Sequence, residues 1–405
     1  MARSPLTLAA AVTSAVPQAS VIAVSALTEH GAGRFDSALA ELSDGRRVVV
    51  RAATDDDTAA ELAAQARALR ALTSGVRALL PFAAPTLLGQ ARVGDAPAIV
   101  VSHLPGYRVD AADVPAGRGT ATTLGAAIAA VHALPDSVAR AESLPELTAA
   151  QTRADAERLL DRVATSHRLP VSLLSRWSKA VGASRIWQFE PTLTLGGTTT
   201  DAFVFADRDG VPTVSGLLTW HGLRVGDPAA DLRWTASAPE AARDVFDAYT
   251  EASVRTPDAW LRIRARLYAE FEFARWLVHG HDEGRDDIVD DAVDLLTALA
   301  DSVVDDDLLA DDAVDVDDTI ALLGRVPGAA GGIDTSMQTD AFGPDDTAFF
   351  SEQIGGRTET SSPADPDATA PIDVSGWVGR DGDADAVADA DRASEAALRR
   401  WAASS

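Results

Sequence analysis

The stretch LTLGGTTTDAFVFADRDGVPTVSGLLTW, residues 193–220, decides how the rest of the chain is read. Apolar and β-branched residues cluster on either side of ADRDG (206–210), a turn-forming segment, so two short strands joined by a tight turn are expected. The residues before this pair carry mostly strand signals, and the residues after it carry helical ones. A strand pair set into a helical half, behind a strand-rich first half, predicts an α+β chain.

Working back towards the start, ASVIAVSALT (19–28) and RFDSALAEL (34–42) alternate apolar and polar residues as half-buried strands do. SDGRR then turns into VVVRA (48–52), closing a hairpin, and the stretches at 84–93 and 96–104 supply two more strands. Between them, DDDTAAELAAQARALRAL (55–72) has acidic residues at its start and alanine and leucine throughout, which favours a helix. The opening MARSPLTLAAAVTSAV invites a signal-peptide reading. Threonine and serine interrupt it and it runs straight into a strand, so an ordinary N-terminal helix is expected.

Working forward, TLGAAIAAVHALP (123–135) reads as an apolar helix ended by proline, and two helical segments are expected within 145–182. Trp260, Ile263, Leu267, Phe271, Ala274 and Val278 form a stripe at helical spacing. Ile288, Ala292, Leu295 and Leu299 repeat that spacing on the last helix. These side chains are expected in the core. His132 on its apolar helix and His103 at the end of the fifth strand read as structural, and His279 and His281 as helix-terminal cations.

Composition narrows the function classes. There is no cysteine, which excludes disulfides, thiolate metal sites and cysteine nucleophiles. No long uninterrupted apolar run suggests a membrane span, so a cytoplasmic protein without membrane contact is expected. Of the 35 basic residues only Lys179 is a lysine, leaving a single candidate for any lysine-dependent step. The net charge of −26 is uneven: residues 305–405 hold 23 acids against 6 arginines, a net −17, leaving −9 for the rest. Neither part offers the clustered positive charge that nucleic-acid binding requires.

ELSDGRRVVVRA, LGAAIAAVHALP, VSGLLTW and VGDPAADLRW follow one another in the order found in the aminoglycoside/macrolide phosphotransferase family, which residues 20–302 resemble. The resemblance implies a bilobal, protein-kinase-like fold. Residues 1–105 would form a small antiparallel-sheet lobe and 106–304 a mainly helical lobe. From charge and from aspartate, glycine and proline content, not from the resemblance, residues 305–405 are expected to be an acidic, largely disordered tail. The resemblance implies that Arg51 occupies the place of the basic residue that holds nucleotide phosphates, with Gln65 at the position of the helix glutamate and within hydrogen-bonding reach of it. The glycines of GAG (31–33) fall where a phosphate-covering loop would sit.

At the catalytic loop the resemblance implies a histidine, a base aspartate and, five residues later, a magnesium-binding asparagine; the residues are Leu195, Gly197 and Ala202. A second magnesium-binding aspartate is replaced by Thr219. None of Gly197, Ala202 and Thr219 offers a carboxylate, so neither ATP nor magnesium is an expected cofactor and no metal site is nominated. Asp201 is the best substitute carboxylate. Asp227, with Asp231 nearby, resembles the aspartate that anchors the catalytic loop to the helical lobe, so Asp227→Ala would be damaging and Gly197→Asp nearly neutral.

The function expected is therefore that of a pseudokinase, a kinase-shaped binding or regulatory module. Two other readings stay open. One is an active small-molecule phosphotransferase, using ATP and magnesium through a relocated carboxylate. The other is an adaptor whose acidic tail, through 346–354 and 383–401, docks a protein partner with a basic, apolar groove.

Overall fold

The computed structural model describes residues 3–27 and 34–309, all within one compact unit. The GAG motif and both proposed docking segments of the tail lie outside the described residues.

The first element is helix α1 (Pro5–Ala15), capped by Ser4, whose hydroxyl accepts from the Thr7 amide. Five antiparallel strands follow: β1 (Val21–Ala26), β2 (Phe35–Leu42), β3 (Arg47–Ala53), β4 (Leu87–Val93) and β5 (Ala96–Ser102), in the order β1-β2-β3-β5-β4. Successive side chains point to opposite faces of a strand, and here both faces are covered. Val48, Val50, Ala98 and Val100 pack with Leu8 and Val12 of α1. Val49, Ile99 and Val101 face the main core with α2 (Asp56–Ala71). That double burial is why VVV reads as a continuous apolar run. Asp55 and Thr58 close a reciprocal capping box at the start of α2. The one-turn helix α3 (Ser74–Arg77) follows it.

The helical half contains α4 (Thr120–His132), α5 (Ser137–Ala141), α6 (Ala149–Thr165), α7 (Val171–Gly182), α8 (Pro239–Ala252), α9 (Leu261–Asp282) and α10 (Asp286–Ser302). Gly125 lets α4 and α8 meet at backbone distance; a Cβ there would stand 2.9 Å from the Tyr249 amide nitrogen. The sequence pattern offers no reading for α8. The stripe on α9 is buried as expected at Ile263, Leu267, Phe271 and Ala274. On α10 the buried line runs through Ala292, Leu296 and Ala300, whereas Leu295 is 46% exposed. Regular spacing sets the period of a helix face, and the packing partner selects which line of that period is covered.

Two small ladders position the loop of interest. The expected pair is β7 (Phe203–Arg208) with β8 (Val211–Leu217), turning through Asp209 and Gly210, both at positive φ. The second, unread from sequence, joins β6 (Thr192–Thr194) to β9 (Arg224–Gly226). Each strand of it has three residues, too few to show alternation. Among the described residues no helix is long and apolar enough to cross a membrane.

Candidate functional site

Residues 195–202 connect β6 to β7 along the floor of a cleft of about 730 Å³. Gly196 and Gly197 both have positive φ, +73° and +99°, a combination in which only glycine is unstrained. The turn directs successive amides inwards. Asp231, fully buried, accepts from the Leu195 and Gly197 N–H groups at 2.6 Å each and from Thr198 N–H at 3.3 Å. Its Oδ2 also lies 3.0 Å from His132 Nε2, while His132 Nδ1 lies 2.9 Å from the Tyr249 hydroxyl. Burial alone would raise the Asp231 carboxyl. The hydrogen bond and charge of His132, with the Leu195 and Gly197 amides, outweigh it and hold the group below its ordinary 3.8.

The loop anchor is therefore Asp231, which corrects the assignment to Asp227. Asp227 caps the 3-10 turn Pro228–Ser237 through the Ala229 amide and faces α9, where it pairs with Arg264 and accepts from the Tyr268 hydroxyl. Both aspartates are buried, four residues apart; the turn between them aims one at the loop and the other at the helix. His132 is part of the loop anchor, a role its apolar helix does not advertise.

The places of the expected catalytic side chains are accounted for. A side chain at Gly197 would overlap the Arg233 guanidinium. Ala202 is buried, and its carbonyl accepts from the Leu218 amide. Thr219 and Asp201 line the cleft, the Asp201 carboxylate accepting from the Thr199 hydroxyl. Arg51 also lines it, but the expected Gln65–Arg51 pairing is replaced. Gln65 is buried, donates through Nε2 to the Leu218 carbonyl at 2.9 Å, and accepts through Oε1 from the Trp220 amide at 2.7 Å. It clamps the backbone on both sides of Thr219. The α2 carboxylate facing the cleft is Glu61, one turn earlier, bound by Arg34 at 2.7 Å and 3.4 Å from His221 Nδ1. Burial lowers the His221 pKa, with Glu61 opposing.

Among the described residues the cleft is rich in arginine within an acidic chain. Six described arginines line it, Arg3, Arg34, Arg51, Arg108, Arg224 and Arg233. Three carboxylates oppose them, of which Asp36 is committed to Arg3 and Glu61 to Arg34. Sequence reading found only Arg51 among the six, because the others come from separate elements and carry no shared motif. Among the described residues no three His, Asp or Glu side chains are grouped to hold a metal ion. The donor set at 197, 202 and 219 does not fit magnesium, which is held by carboxylates and phosphates.

A model of the phosphotransferase enzyme family matches residues 30–266. The chain belongs to this family. Its fold is similar to that of macrolide 2'-phosphotransferase MphH from Brachybacterium faecium, with TM-score 0.59 and 22% identity over 72% of this chain and 98% of that one. It is similar also to aminoglycoside 2'-phosphotransferase-IIIa, solved as a GDP complex, with TM-score 0.61 and 17% identity over 74% of this chain and 99% of that one. No curated protein matches the chain in sequence. The kinase-like fold expected from the sequence is thus present, with the antiparallel sheet first and the helical part after it.

Gly197→Asp, expected from sequence to be nearly neutral, is instead predicted to destabilise. The substitution places a side chain at φ +99° and displaces the half-buried Arg233. Strain at such a φ costs about 1–3 kcal/mol, and overpacking adds a similar amount. Urea titration should show a midpoint well below wild type. Gly197→Ala should recover part of the loss, since it keeps the strain with a smaller side chain.

Proposed function

We propose that the protein is a phosphotransferase-family member that does not carry out magnesium-dependent phosphoryl transfer and whose cleft serves as a ligand-binding, regulatory site. The observation that carries this reading is the Arg233 guanidinium occupying the side-chain space of residue 197. A guanidinium there cannot accept the proton of a substrate hydroxyl, and it repels a divalent cation. Loss of a general base alone costs roughly two to four powers of ten in rate. Loss of the metal ligands removes the charge neutralisation on which phosphoryl transfer depends.

The related structures are a macrolide and an aminoglycoside phosphotransferase, so those antibiotics are the substrates to try. Purified full-length protein with ATP and magnesium should show no ATP turnover and no transfer to either class. A second reading has one observation in its favour: Asp201 lines both the main cleft and a side pocket shared with Arg108, Asp110 and Asp113. If turnover is found and Asp201→Asn abolishes it, the carboxylate has been relocated and the protein is an enzyme.

A further inference from the structure

The tandem glycines at the base of the cleft each have an arginine beside them. A Cβ on Gly197 would overlap Arg233, and one on Gly196 would lie 2.5 Å from the Gly222 carbonyl oxygen, 3.0 Å from Arg224 Nε and 3.1 Å from its Nη2. Both arginines also line a neighbouring cleft of about 470 Å³, so they stand where the two clefts meet. Arg224 donates to the Gly196 carbonyl at 2.9 Å and has no carboxylate partner among the described residues. The carboxylate paired with Arg233 is Glu272, 3.5 Å from its Nε, and Arg275 binds the same carboxylate oxygen. Arg108, on the segment after β5, lines the cleft and makes no hydrogen bond or ion pair among the described residues. Burial holds the Arg233 pKa down, with Arg275 and Arg224 acting in the same direction and Glu272 and Asp231 opposing. A partly desolvated cation with other cations beside it is stabilised when a further anion arrives.

We infer that this cleft binds a polyphosphate anion directly on guanidinium groups, with Arg224 and Arg233 standing in place of a carboxylate-held divalent cation. The inference rests on the proposed loss of the magnesium site and assigns that site its ligand class. In a magnesium site, protein carboxylates hold a cation, which holds the phosphates. Here the sign of the loop is inverted, and the protein contacts the phosphates itself. Guanidinium forks match phosphate oxygens in planar, charge-assisted hydrogen bonds. A net charge of −26 repels anions from the surface as a whole. An anion is therefore retained only where positive charge is concentrated, and Arg108, Arg224 and Arg233 on this one cleft suit several phosphates better than one carboxylate.

The test is thermal melting of the full chain with ATP and with inorganic pyrophosphate, each in EDTA and in magnesium chloride at matched ionic strength. A rise in melting midpoint with either anion in EDTA, undiminished by the absence of magnesium, is expected. Arg233→Gln and Arg108→Gln should each weaken that binding by roughly tenfold to a hundredfold, the range for a charge-assisted contact. Arg233→Gln also opens space beside Gly197 and can disturb the loop; Arg108→Gln, which breaks no contact among the described residues, keeps the test decisive. A shift seen only with magnesium, no shift with either anion, or unchanged affinity in both variants overturns the inference. Turnover is read separately by ATP hydrolysis, so failure of the parent reading and failure of this one are distinguishable.

Discussion

Asp231→Ala is expected to lose about 3–5 kcal/mol of folding stability, the cost of removing one partner from a buried charged network. The carboxylate holds the Leu195, Gly197 and Thr198 amides and faces His132, and alanine replaces none of these contacts. Each orphaned buried N–H contributes to the loss, and the melting midpoint of the full chain should fall by about 2 °C or more per kcal/mol. Asp231→Asn should recover little, since one end of its amide is a donor facing inward N–H groups. The same residue sets an acid limit. Its folded pKa lies below the ordinary 3.8, so the unfolded chain takes up this proton first as pH falls. The stabilisation is complete above about pH 5 and is lost as pH drops through the folded value. The gap in urea midpoint between wild type and Asp231→Ala should therefore narrow as the pH is taken from 7 through the folded pKa below 3.8. A gap that stays constant with pH would contradict this account of the anchor.

The second large effect is expected at Arg264. All five guanidinium N–H groups are used: Nε and Nη2 donate to Asp227, Nη1 and Nη2 to Asp258, and Nη1 to the Ile186 carbonyl, over distances of 2.7–3.1 Å. The group also sits 4.5 Å from the Phe189 ring centroid. Burial acts to lower its pKa, but Asp227 and Asp258 raise it above the ordinary arginine value. Arg264→Met strands Asp227, which is buried, and Asp258, which is partly exposed, and should cost about 3–5 kcal/mol. Arg264→Lys should recover only a fraction, because a point charge with three donors cannot reproduce the fork. Asp258→Asn should be much milder, since water reaches that carboxylate. Equal urea midpoints for Arg264→Met and Asp258→Asn would show that the buried pair with Asp227 is not what holds α9 to the turn after β9.

The local signals in the sequence were sufficient for the five-stranded sheet, α2 and the β7–β8 hairpin, though not for α8 or the β6–β9 ladder, and the bilobal arrangement came from the family resemblance. Alternation in β2, the apolar run of β3, the acidic start of α2 and the ADRDG turn are short-range features. Each predicts its own element because backbone sterics, helix dipoles and turn chemistry act over a few residues. The absence of the aspartates at 197 and 219 and the asparagine at 202 that the family resemblance implies was equally legible, since an absent side chain needs no geometry to be noticed. What replaced them was not. Arg233 reaches Gly197 from 36 residues further along the chain, and Arg224 reaches Gly196 from 28. Neither pairing leaves a periodicity or a motif. Gln65 turned from Arg51 to the backbone beside Thr219, and the loop anchor passed from Asp227 to Asp231, for the same reason. Which buried polar group meets which partner is settled by how β6, β8, α2 and the turn after β9 pack together. Residue types alone set what each side chain could bind; the closed packing of the tertiary fold chose among the partners, because a buried donor or acceptor must take whichever complement the packing brings within reach.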